Sequence, residues 1–120
     1  MDRRLLGRWG EAAAAAWLRR QGYTVLAANY ATRFGEIDLI AWKGNYLAFI
    51  EVKLRKSADF AAAREFVDAR KQKRLRIVAA QYLQEHPSEL QPRFDVAEVY
   101  APDGAETKQP KINYIENAFQ

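Results

Sequence analysis

The sequence predicts a single α/β domain, a mixed central sheet of about five strands flanked by helices in the order α-β-β-β-α-β-β. Three observations carry this. Apolar residues recur at helical spacing over 3–21 and again over 69–85. Between them, residues 35–55 alternate with the period of strands around a Gly44-Asn45 turn. Residues 93–100 are apolar on both faces, as a strand inside a covered sheet is, and they follow a helix, so they can run parallel to a neighbour.

In the first helix, Leu6, Gly7, Gly10, Ala13, Ala14, Trp17 and Leu18 share one stripe. Each glycine costs about 1 kcal/mol against alanine inside a helix, so the pair implies close approach to another backbone. Glu11 lies at the stripe's edge; it either leans toward the sheet or solubilises the helix margin. Gly22 is suited to end the helix. Residues 23–29, centred on Val25 and Leu26, form a first strand, and 29–35 form a polar loop carrying Arg33. Two further strands follow around Gly44-Asn45, so the first three pair as an antiparallel meander. Residues 60–67 suit either a helical turn or an ordered loop. Asp68 caps a second helix over 69 to about 85, with Leu75, Val78, Ala79, Tyr82 and Leu83 as its core stripe and Pro87 beyond its end. After the strand over 93–100, Pro102-Asp103-Gly104 turns the chain into a fifth strand over 111–116.

Composition excludes several chemistries. The absence of cysteine rules out disulfides, thiol redox and Cys-based zinc sites, and the single His86 cannot make a histidine-rich metal site. The longest apolar run, 12–18, is too short to span a bilayer. Glu11 and Arg19-Arg20 argue against a signal peptide, so the expectation is a cytoplasmic protein with no membrane partner. A net charge of +4 permits a polyanionic partner. Arg70, Lys71, Lys73, Arg74 and Arg76 cluster on the second helix, as either a solvated face or a polyanion contact.

The hairpin holds the candidate chemistry. Ile37, Leu39 and Ala41 share one face of its first strand, and Glu36, Asp38, Ile40 and Trp42 the other. In the second strand, Ala48, Ile50, Val52 and Leu54 oppose Phe49, Glu51, Lys53 and Arg55. A two-residue turn pairs Lys43 with Tyr46, and counting back sets Asp38 against Glu51 and Glu36 against Lys53. Like charges directly opposite are destabilising, so two such carboxylates call for a cation. Hard oxygen donors suit Mg²⁺ or Mn²⁺: Asp38, Glu51 and the backbone carbonyl of Val52 would be the ligands, with Glu11 joining if its helix crosses the sheet end. Lys53, on the same face, would position a water or stabilise developing phosphoryl charge. A solvated, ion-paired sheet face, with Glu36 bridged to Lys53, is the alternative reading.

These residues carry a resemblance. Asp38 followed by Glu51-Val52-Lys53 resembles the Asp…Glu-x-Lys signature of the restriction-endonuclease-like, PD-(D/E)XK, nuclease superfamily. A wider set of motifs, Gly7-x-x-Gly10-Glu11-x-x-Ala14, Gly22-Tyr23, Asn29, Gly35 to Ile40, Phe49 to Arg55, Arg93-Phe94-Asp95-Val96 and Asn117-Ala118-Phe119, resembles the bacterial YraN-type family. That family is similar in layout to archaeal Holliday junction resolvases. Ile37 stands where the superfamily often has proline. The resemblance implies a restriction-endonuclease-like fold and a metal-dependent endonuclease acting on DNA, branched or structured DNA foremost. It implies Asp38 and Glu51 as metal ligands, Lys53 as the catalytic lysine and Glu11 as the helix acid. Phosphate contacts would come from Arg33, Arg55, Lys71, Lys73 and Arg74. An RNA substrate stays open, and a homodimer is expected only by analogy with resolvases. Two other readings stand beside it: a non-catalytic nucleic-acid-binding module, and an interaction domain of a DNA-processing complex.

Overall fold

The computed structural model describes residues 2–56 and 67–119. The elements run α1 (Arg3–Arg20), β1 (Thr24–Thr32), β2 (Gly35–Lys43), β3 (Tyr46–Arg55), α2 (Ala69–Glu85), β4 (Gln91–Tyr100) and β5 (Lys111–Phe119), with a short 3-10 turn at Gly104–Glu106. Among the described residues the strands form one sheet in the order β1-β2-β3-β4-β5. β3 and β4 are parallel, joined through α2, and every other neighbouring pair is antiparallel. The expected α/β domain with a mixed five-stranded sheet is therefore observed. No helix among the described residues is long and apolar enough to cross a membrane.

Each helix seals one face of the sheet. Ala14, Ala15 and Leu18 of α1 pack on Leu39, Ala41, Ala48, Ile50, Ala97 and Val99. Leu75, Val78, Ala79 and Tyr82 of α2 pack on Ile37, Ile40, Leu47, Phe49 and Val96. Both helices start on an aspartate cap: Asp2 accepts from the Leu5 N–H at 2.9 Å, and Asp68 from the Lys71 N–H at 2.8 Å.

Five local expectations are revised. β1 runs on to Thr32, because a bulge between Val25 and Ala27 and a left-handed Asn29 (φ 56°) absorb its irregularity. The polar loop shrinks accordingly to a turn at Arg33-Phe34. β5 extends to Phe119, since buried Asp95 accepts the Asn117 N–H at 2.9 Å and holds the end of the strand. Of the two helix glycines, only Gly10 is closely packed, and against a side chain rather than a backbone: a β-carbon there would meet Leu54 carbons at 3.0–3.2 Å. Gly7 has nothing within 4 Å of that position. Ile37 packs with Ile40 on the α2 side, not with Leu39 and Ala41, so the alternation of β2 breaks at Asp38. Apart from Val67, the expected turn or loop over 60–67 lies outside the described residues.

Candidate metal centre

The site forms where two strands part. The β2–β3 ladder runs from Lys43–Tyr46 to Leu39–Ile50, in the register set by the Gly44-Asn45 turn. It ends there. One residue further, Asp38 does not sit in a ladder pair with Glu51; its Oδ2 accepts the Val52 N–H at 2.8 Å. The expected direct opposition thus becomes a fork, with both carboxylates still side by side. The same divergence corrects the expected Glu36–Lys53 bridge. Counting along the ladder loses meaning past its end, and the Lys53 Nζ lies 3.7 Å from Glu51 Oε2.

Into this fork α1 delivers Glu11. Carboxylate oxygens of Glu11, Glu36 and Asp38 lie within 4.8 Å of one another. Glu51, only 6% exposed, is contacted through Oε2 by the Lys71 ammonium. Two adjoining hollows, of about 260 and 240 Å³, share Asp38, Glu51 and Lys71 as a common wall. Glu36 and Arg74 line the first; Gly7, Glu11, Val52 and Lys53 line the second. A larger open hollow of about 580 Å³ lies toward the start of β3 between Tyr46, Arg93 and Glu116. Its arginine is already committed to Asp95, Tyr23 and the Tyr46 ring, so the chemistry belongs to the smaller cleft.

Electrostatics mark the cleft as short of positive charge on its acidic side. Burial, then the adjacent Glu51 charge, push the Asp38 carboxyl up to about 8, against the opposing Val52 hydrogen bond. Burial also raises Glu11, helped by Glu36 and opposed by an Asn29 hydrogen bond and by Arg8. Glu11 Oε1 is buried with no hydrogen-bond partner among the described residues. Burial lowers Lys53, and the Lys71 charge lowers it further. Burial pulls Lys71 down too, but contact with Glu51 and the charge of Asp38 outweigh it and raise the ammonium. An orphaned carboxylate oxygen within an all-oxygen donor set fits a hard divalent cation such as Mg²⁺ or Mn²⁺.

The structure thus brings Glu11, Asp38, Glu51, Val52, Lys53, Lys71 and Arg74 of the sequence-derived set together. The others lie apart. Arg33 is exposed at the β1–β2 turn with its guanidinium 4.7 Å over the Phe34 ring. Lys73 is exposed on α2. Arg55 lies beyond Lys53 on β3, with its Nε 3.4 Å from buried Glu98. At the hairpin end, the Trp42 indole N–H donates to the Gly44 carbonyl and Arg93 covers the Tyr46 ring. Sequence reasoning missed Glu36 and Asn29 as members of the cluster. Glu36 had a signal, since it shares a strand face with Asp38 two residues on. Asn29 stood only as one residue of the family motif, with no role attached, because its contact with Glu11 depends on how α1 lies across β1.

Fold and cleft together define an α/β domain that gathers four carboxylates and two lysines where two antiparallel strands diverge. The model of the Uncharacterised protein family UPF0102 matches residues 10–99, and the chain belongs to that family, the YraN type of the motif resemblance. The matched span takes in every acidic and basic residue of the cleft. The chain is 43% identical over 115 residues to a UPF0102 protein of Alkaliphilus metalliredigens, covering 95% of this chain and 96% of that one. It is 42% identical over 117 residues to a UPF0102 protein of Syntrophomonas wolfei, covering 97% and 98%. A UPF0102 protein of Pelotomaculum thermopropionicum is 40% identical over 118 residues, covering 98% and 97%.

Proposed function

We propose that this chain is a divalent-metal-dependent endonuclease of the restriction-endonuclease-like superfamily, hydrolysing phosphodiester bonds in branched or otherwise structured DNA. One observation carries the reading: Glu11, Glu36 and Asp38 converge at the β2–β3 fork beside Glu51 and Lys53. Glu51 is buried, Glu11 and Asp38 are half-buried and Glu36 is exposed, and a divalent cation among these like charges would relieve the repulsion that raises Asp38 and Glu11.

Asp38 and Glu51 would hold the metal with the Val52 carbonyl, and Glu11 and Glu36 would complete the acidic wall. Mg²⁺ or Mn²⁺, when bound, supplies Lewis acidity toward a phosphoryl oxygen and lowers the pKa of water. The reaction adds water across one P–O bond, leaving a phosphate on one fragment and a hydroxyl on the other. Lys53 stands at the mouth of the cleft, 27% exposed, where its ammonium can meet charge developing on the phosphoryl oxygens. Arg74 on the Glu36 side offers a further phosphate contact, and exposed Lys73 on the same helix would offer another outside the cleft. No groove-reading helix-turn-helix or zinc-finger pattern occurs in the sequence, which favours selection by DNA shape over selection by base sequence. A junction presents two symmetric cuts, so a homodimer would be the form acting on one. A DNA substrate would agree with the expected cytoplasmic location.

The test is a cleavage assay on branched, flapped, duplex and single-stranded DNA, with matched RNA, in Mg²⁺, Mn²⁺ and EDTA. Metal-dependent cutting that disappears in both Asp38→Ala and Lys53→Ala supports the reading. Cutting that persists in both variants assigns the activity to a contaminant. Salt-sensitive binding without cutting, indifferent to metal and to loss of the acids, would instead make the chain a binding module.

A further inference from the structure

We propose that Lys71 is a built-in counter-ion of the metal-free cleft, one that competes with the divalent cation for Glu51 and yields it when the cation enters. This rests on the metal site proposed above. Glu51 is buried, and a buried carboxylate with no cation beside it is strongly disfavoured. Two lysines are within reach of its Oε2. Lys53 stands 3.7 Å away, and the Lys71 ammonium makes the closer contact. Lys71 also belongs to the wall common to both hollows, so its ammonium sits between the Glu36 side and the Glu11 side of the cleft.

Helix stability does not explain that placement. Lys71 lies in the first turn of α2, beside the Asp68 cap, and this turn holds no acidic residue. The N-terminal end of a helix dipole repels a cation. The favourable partner is therefore across the cleft, on β3. A lysine suits an exchangeable role, since its flexible stem lets the head leave without moving the helix, and the side chain is already 34% exposed. Two cations on one carboxylate repel each other, so entry of a divalent ion favours departure of the ammonium. Once released, Lys71 joins Arg74, on the same helix, at the rim where a phosphate backbone would lie.

The experiment is Mn²⁺ titration of the EDTA-stripped full chain, with free Mn²⁺ read by electron paramagnetic resonance. Wild type is compared with Lys71→Met, Lys71→Gln, Lys71→Arg and Arg70→Met. Removing the competing charge should tighten Mn²⁺ binding by about tenfold or more in the Met and Gln variants. Arginine should keep the weaker wild-type affinity. Loss of exposed Arg70 should change it by less than about twofold, because that charge faces screening solvent. Folded Met and Gln variants that bind Mn²⁺ no better than wild type overturn the proposal. Absence of Mn²⁺ binding in every protein overturns the metal site and this role with it. Should neither neutral variant fold, Mg²⁺ titration of wild type followed by lysine side-chain NMR decides: Lys71 must lose its Glu51 contact on saturation, and retention of that contact overturns the role.

Discussion

Replacing Asp38 by asparagine should stabilise the metal-free protein while abolishing the proposed cleavage of DNA. Asparagine keeps the shape and the hydrogen-bond pattern of a protonated Asp38. Its oxygen can accept the Val52 N–H, which the carboxylate now takes at 2.8 Å, and its amide can donate to Glu51. It removes only the ionisable charge. The sign follows from linkage. Asp38 titrates at about 8 in the fold, against an ordinary 3.8. Between those values the folded state retains a proton that the unfolded chain releases, so stability falls as pH rises through the window. Below it nothing is lost, and above it the whole penalty is present. The full displacement corresponds to about 5 kcal/mol at pH 8; proton sharing with Glu51 reduces what one substitution recovers to on the order of 2 kcal/mol. For a chain of 120 residues, an unfolding entropy of about 0.25 kcal/mol/K makes that about 8 °C in Tm.

Thermal unfolding in EDTA at pH 4, 6 and 8 measures it, with cleavage in Mg²⁺ measured in parallel. The variant should match wild type near pH 4 and exceed it increasingly toward pH 8, and its cleavage should be lost. An asparagine variant less stable than wild type at pH 8, or a gap that does not grow with pH, would refute the account of Asp38 as a half-buried, charge-strained carboxylate.

Three further outcomes are expected. Lys53→Ala should lower kcat by about a hundredfold or more while leaving Mn²⁺ affinity within a few fold, because the ammonium acts on developing charge rather than on the cation; single-turnover kinetics and Mn²⁺ titration separate the two. Asp95→Ala should destabilise by about 3–5 kcal/mol in urea unfolding, since fully buried Asp95 receives Arg93, the Tyr114 hydroxyl and the Asn117 N–H, and its loss removes the closest counter-charge of a guanidinium that is 10% exposed. Lys73→Ala should weaken DNA binding equally on all substrates and reduce the salt slope by about one, as loss of a single phosphate contact does.

How much of this was legible in the sequence depends on the range of the interaction behind each feature. The two helices, the meander and the parallel return of β4 follow from periodicity and turn chemistry, which act locally, and α2 begins at the residue its Asp68 cap implies. The register of the hairpin was legible for the same reason: Gly44-Asn45 fixes it. That rule holds only while the strands remain paired. At Asp38 they diverge, and there counting misplaced Glu36 on Lys53 and Ile37 on the α1 face. The buried acids of β4 were illegible for a related reason. Arg93 and Tyr100, each two residues away, supply only part of the partners of Asp95 and Glu98; Tyr114, Asn117 and Asn113 arrive from β5.

Lys71 makes the same point from the functional side. A helical wheel sets Lys71 at the N-terminal end of the α2 core stripe, one turn before Leu75, where a lysine reads equally well as reaching past the core to solvent. Only the packing of α2 over β3 shows what it turns toward, the buried glutamate on the β3 arm of the fork. The failures of local reading at Glu36, Ile37 and Lys71 therefore collect around one place, the end of the β2–β3 ladder. That is what a built site requires. Carboxylates that repel one another cannot be held together by the local preferences that make strands, so the surrounding fold has to impose their arrangement. The acids at this fork are gathered from α1, β2 and β3 and countered from α2, and no element brings more than two of them.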